Sequence, residues 1–145
     1  MQSVLKISDA ASIALHAMTY IAFHSEEPAS TKDIATSFGV SVNHLSKVLQ
    51  RLVKAGLLTS IKGPLGGFEL TKKCEDITFL EIYEAIDGKI NSGCCLFGKQ
   101  VCNCDECIMG DFLNKTNKSV KEFFSNKKLS DFCKQKKELD DECSK

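Results

Sequence analysis

Apolar residues recur at helical spacing through the first third of the chain. Ser8 or Asp9 can cap a helix running to about His24, in which Ala10, Ile13, Ala14, Ala17, Met18, Ile21 and Ala22 form a broad apolar stripe. The polar stretch "SEEPAS" breaks it. Ser30, with Asp33 three residues on, opens a second, shorter helix whose buried side is Ile34, Ala35 and Phe38. Gly39 in "FGVS" supplies a tight turn. Ser41 then caps a third helix, where Leu45, Val48, Leu49, Leu52 and Val53 fall at i, i+3, i+4, i+7 and i+8, and Gly56 ends it.

The pattern then changes. "LLTSI" and "GFELT" are short, apolar and β-prone, and the Gly-Pro-rich "KGPLGG" between them predicts a hairpin. Thr78 with Glu81 forms a capping box ahead of "FLEIYEAID", which Gly88 terminates. A glycine-punctuated loop follows. Beyond it, Phe112, Leu113, Thr116, Val120 and Phe123 mark a longer helix whose apolar seam nothing else in the chain covers. The polar tail "CKQKKELDDECSK" predicts a frayed end. The expected fold is mainly α with a small β-hairpin: a winged helix-turn-helix over 1–88, a cysteine-rich loop over 89–109, a long C-terminal helix over 110–132 and a polar tail over 133–145.

Composition is that of an ordinary globular domain: 145 residues, 43% hydrophobic and 26% charged. The apolar stretch near the N-terminus is too short to span a bilayer and lacks a basic leader, so the expected setting is the cytoplasm, with no membrane partner. There thiols stay reduced, which favours metal binding or redox sensing over structural disulfides. Formal net charge is zero, but it is unevenly spread. Residues 31–73 carry seven basic and two acidic residues, a net of +5, whereas 74–145 carry 11 basic and 14 acidic, a net of −3. A basic segment beside an acidic one is an electrostatic footprint for nucleic acid.

That segment has the matching element order: short helix, glycine turn, second helix, hairpin. With its leucines turned inward, the third helix presents Ser41, Asn43, His44, Lys47, Gln50, Arg51 and Lys54 outward. The first three lie in the turn that would meet base edges, where Asn suits adenine, and Lys47 and Arg51 suit guanine or phosphate. Lys62 at the hairpin tip is placed for a phosphate or the minor groove. The expected partner is double-stranded DNA. No nucleotide-binding loop, catalytic triad or paired carboxylate has any spacing logic, so an enzyme is not expected.

Five of the eight cysteines fall between Gly93 and Cys107. Cys102, Cys104 and Cys107 could begin a zinc site, but no second paired half is present. Cys95, Cys102 and Cys107 are spaced more openly, as in a loop that wraps an iron–sulfur cluster. Cys74 lies alone between hairpin and fourth helix and reads as a small buried hydrophobe. Cys133 and Cys143 are too spread to complete a knuckle.

The run "GVSVNHLSKVLQRLVKAGLLTSIKGPLGGFEL", followed by "DITFLEIYEAIDG" and a cysteine-bearing loop, resembles the Rrf-type winged-helix transcriptional regulators, the group that includes IscR- and NsrR-like iron–sulfur sensors. The resemblance covers residues 1 to about 130. It implies a homodimer whose C-terminal helices pair, a palindromic operator, and a [4Fe-4S] or [2Fe-2S] cluster held by three loop cysteines. These would be Cys95, Cys102 and Cys107, with Cys94 and Cys104 as alternatives, because the last spacing is four residues where the family commonly has five. The histidine of the IscR-like branch is replaced by Gly110. The aspartate of the NsrR-like branch, donated by the partner subunit, matches Asp9, although a carboxylate there is also ordinary capping. The family's wing arginine is Lys62 here, which keeps charge and loses the bidentate fork. A thiol- or zinc-based sensor on the same scaffold, and more distantly an iron–sulfur electron carrier, are the competing expectations.

Overall fold

The computed structural model describes residues 7–90, 95–97, 99, 101, 103, 106–109 and 111–133. Ser8, rather than Asp9, caps the first helix α1 (Asp9–Phe23), its side chain accepting from the Ala11 amide at 3.0 Å. Helix α2 (Thr31–Phe38) is capped by Ser30 and stopped by Gly39 at φ 63, a left-handed conformation that glycine adopts without a Cβ clash. Helix α3 (Val42–Lys54) is capped by Ser41. Its Leu45, Val48, Leu49 and Leu52 pack into one core with Ala11, Ala14, Met18 and Ile21 of α1 and Ile34 of α2. Phe38 departs from expectation: it is 40% exposed. It sits against His16 and Tyr20 on the outer side of α1, at ring separations of 5.5 and 6.1 Å.

Strands β1 (Leu58–Ile61) and β2 (Gly67–Leu70) pair antiparallel, Leu58 opposite Leu70 and Ile61 opposite Gly67. The hairpin is fastened at its root. Ala29, in the "SEEPAS" stretch, makes a two-way bridge to Phe68, with N–O separations of 3.1 and 3.0 Å. The residue beside it must be small, because a Cβ on Gly67 would lie 2.4 Å from the Ala29 carbonyl oxygen.

A 3₁₀ turn over Cys74–Asp76 leads to α4 (Phe79–Asp87). The Thr78–Glu81 capping box is complete: Glu81 N–H donates to the Thr78 hydroxyl at 3.2 Å and Thr78 N–H donates to Glu81 at 2.9 Å. Ile82 and Ile86 turn into the core against α1 and α3.

The long C-terminal helix is shorter than the sequence suggests. Helix α5 spans Phe112–Asn126, not 110–132, and its amphipathic face is offset from the expected seam. Phe124 is buried and meets Tyr83 of α4, ring centres 5.5 Å apart, while Phe112 and Phe123 are 57% and 56% exposed. The chain then turns back. Lys128 bridges Thr78, and a helical segment restarts at Leu129, which is fully buried with Ser130 beside it. Cys133, assigned to the polar tail by sequence, belongs to this segment and packs half-buried on the core. Residues 134–145 lie outside the described residues.

Candidate nucleic-acid interface and cysteine loop

Ser41, Asn43, His44, Lys47, Gln50 and Lys54 are exposed on α3, as their alternation with the buried leucines requires. The Ser41 oxygen is engaged, accepting from His44 N–H at 3.4 Å as the cap, which leaves its O–H as a donor. Val42 joins this face at 48% exposure. Its spacing from Leu45 and Leu49 puts it on the buried stripe, but at the first turn of α3 the core does not reach it. Lys62 is exposed where β1 gives way to the tip of the wing, next to Leu65 at 88% exposure.

Arg51 occupies the same face but is already committed. Its guanidinium donates from Nη2 to the Ile86 carbonyl oxygen, in the last turn of α4. The last carbonyls of a helix have no intrahelical partner and carry its negative end. A cation donating there satisfies one of them. In the free chain the side chain thus joins α3 to α4. The helix pattern showed that Arg51 was exposed, and nothing in it could show that another helix ended within reach.

One residue further on, Asp87 ties the end of α4 to the start of α1. Its carboxylate accepts from the Ser8 hydroxyl at 2.6 Å and from the Ser8 amide at 3.4 Å. Asp9, next along, is exposed at the first position of α1. Thus α3, the N-terminus of α1 and the entrance to the cysteine loop all meet at Ile86–Asp87.

Within that loop, Cys95 and Cys107 are half-buried thiols outside any disulfide. Cys94, Cys102 and Cys104 lie outside the described residues. Among the described residues no three His, Cys, Asp or Glu side chains are grouped to hold a metal, so Asp9 is not gathered with Cys95 and Cys107 within one chain. His16 and His24 are occupied locally, Nδ1 of each lying 2.7 and 2.9 Å from a carbonyl oxygen one turn back. The donor set suits soft-metal chemistry: five thiols within fifteen residues, on a loop whose two ends are helix-anchored.

Comparison with known proteins bears on this arrangement. The family model for Rrf2, an iron-dependent transcriptional regulator, matches residues 7–135. The transcriptional regulator IscR of Pectobacterium carotovorum subsp. carotovorum (strain PC1) is 28% identical over 138 residues, spanning 94% of this chain and 84% of that protein. Protein rrf2 of Nitratidesulfovibrio vulgaris (strain Hildenborough) is 46% identical over 68 residues, 46% of this chain and 45% of that one. Among solved structures, CymR of B. subtilis, described as its global cysteine regulator, superposes with a TM-score of 0.78 at 28% identity, covering 91% of this chain and 98% of CymR. T. potens IscR superposes at 0.75, also 28% identical, covering 94% and 91%. These relatives are regulators rather than enzymes, and no described helix is long and apolar enough to cross a membrane. With its helix-turn-helix, its rooted wing and its match along most of its length, the chain belongs to the Rrf2 family of winged-helix transcriptional regulators.

Proposed function

We propose that the chain is a cytoplasmic homodimer that binds a palindromic operator with an affinity set by an iron–sulfur cluster in the loop 89–109. The observation that carries this reading is the junction at Ile86–Asp87, where the root of the cysteine loop is hydrogen-bonded to both α3 and α1. A loop that changes shape there acts on the recognition helix directly. Asn43, His44, Lys47 and Gln50 would read the major groove, with Ser41 donating through its hydroxyl, and Lys62 would hold a phosphate or the minor-groove edge. Val42 adds an apolar contact suited to a thymine methyl.

Cys95, Cys102 and Cys107 would supply the thiolates, with Cys94 and Cys104 as the alternative register. Asp9 of the partner subunit would complete the set. When bound, a cluster supplies iron whose state depends on oxidants and iron supply. What this chain contributes is thiolates fixed between two helix ends. Two half-sites must be met at a set spacing, so a small rotation of one winged domain changes affinity strongly.

The experiment is anaerobic purification followed by iron and sulfide analysis and operator binding at fixed salt, before and after iron removal. A coloured protein with an affinity change of tenfold or more supports the reading. Equal affinities sink the coupling, and a colourless protein sinks the cluster. The likeness to CymR favours a second reading, a thiol sensor on the same scaffold. It would give the colourless protein and an operator affinity that responds to oxidant and reductant.

A further inference from the structure

Two cysteines outside the loop lie on segments that the fold pairs, and both pack on the same core. Thr78 and Lys128 form an antiparallel bridge, flanked by Phe79 N–H donating to the Lys127 carbonyl at 2.9 Å and Leu129 N–H donating to Ile77 at 3.1 Å. The bridge sets Ile77 beside Leu129, three residues after Cys74 and four before Cys133. Backward from Thr78 lies the 3₁₀ turn that starts at Cys74; forward from Lys128 lies the helical segment carrying Cys133. Both side chains pack half-buried against the edge of the same core, and neither is in a disulfide. Cys133 is among the groups that raise the Cys74 pKa. Cys74 also borders a groove of about 350 Å³ between the end of α1 and the root of the wing, lined by Ile21, Phe68 and Lys73 among others, which gives a small oxidant a path to it.

We propose that Cys74 and Cys133 form a reversible disulfide, a modification site separate from the cysteine loop and independent of any cluster. The oxidant is a hydroperoxide. The Cys74 thiolate attacks the peroxide oxygen, the O–O bond breaks, and the alcohol or water leaves after taking up a proton, giving a sulfenic acid. The Cys133 sulfur then attacks that sulfur, the S–O bond breaks, and water leaves with the Cys133 proton. Two electrons have passed from the two thiols to the peroxide. Burial, reinforced by Glu75 and by Cys133, holds the Cys74 thiol above its ordinary pKa, so the first step is slower at neutral pH than at an exposed thiol. The resulting bond would stitch the segment after α5 to the turn between wing and α4.

The test uses the full-length, cluster-free protein treated with hydrogen peroxide, alkylated and digested with trypsin. Peptide 74–89 carries Cys74 alone and peptide 129–134 carries Cys133 alone. The expected product is these two peptides joined, lost on treatment with dithiothreitol. In Cys133→Ser, Cys74 should instead be trapped by dimedone as the sulfenic acid. The oxidised wild type should melt about 5 °C or more above the reduced form, a shift absent in Cys74→Ser and Cys133→Ser. Full alkylation of both thiols after oxidation, or joining of either to a cysteine of 94–107, overturns the proposal.

Discussion

Arg51 and Lys47 lie on the same exposed face of α3, yet their environments differ. Lys47 is exposed, whereas Arg51 donates to the end of α4. Arg51→Ala is expected to lower stability by about 1–2 kcal/mol in urea denaturation, because a charge-assisted hydrogen bond and a favourable helix-end charge are lost together. Lys47→Ala should leave the unfolding free energy in urea within about 0.5 kcal/mol of wild type and weaken operator binding, since the side chain is exposed. Glu81 gives a second contrast. Burial pushes its carboxyl up, but hydrogen bonds from Thr78 and the Lys72 ammonium at 3.3 Å outweigh that and leave the pKa below the usual glutamate value. A carboxylate favoured in the folded state contributes stability above its unfolded pKa of about 4.3 and loses it as pH falls through the folded value. Glu81→Gln should therefore be less stable than wild type at pH 7, with the gap narrowing in thermal melts as the pH falls below the ordinary glutamate range.

At the scale of elements, what the sequence shows is whatever is local. Ser30, Ser41 and Thr78 cap where their side chains sit next to apolar runs, and the buried stripe of α3 follows from its spacing alone. Contacts made by one or two residues across long separations leave no periodic trace. The Ala29–Phe68 bridge, the Arg51–Ile86 and Ser8–Asp87 bonds, and the return at Lys128 are all of that kind. The last was hidden further because "NKKLSDF" is polar and only Leu129 and Ser130 in it are buried. The loop cysteines are legible as a donor set, because thiols so dense have few other uses. Which of them would hold a cluster, as proposed, is a matter of three-dimensional register that spacing does not fix. The bridge itself can be tested. Gly67→Ala would press a methyl against the Ala29 carbonyl and should cost about 2 kcal/mol or more in denaturant unfolding.

For the whole molecule, the face of α5 left open is the one to watch. Phe112 and Phe123 stand three helical turns apart on one side, each more than half exposed, while the neighbouring Phe124 closes against α4. Exposed aromatics on a helix seam mark an interface. In the proposed dimer they are its centre, so Phe123→Asp should convert dimer to monomer in light scattering. Operator affinity should fall with it, as one half-site is lost.

The fastening of the wing at Ala29 has a consequence for how such a protein can diversify. Because the hairpin is pinned where it leaves the body, its pitch is inherited from the α1–α2 connection and not from the residues at its tip. Residues 62–65 are exposed, and Gly66 and Gly67 hold the close approaches behind them. The tip is thus an interchangeable bit in a fixed chuck: its chemistry can change while its angle to the body stays the same.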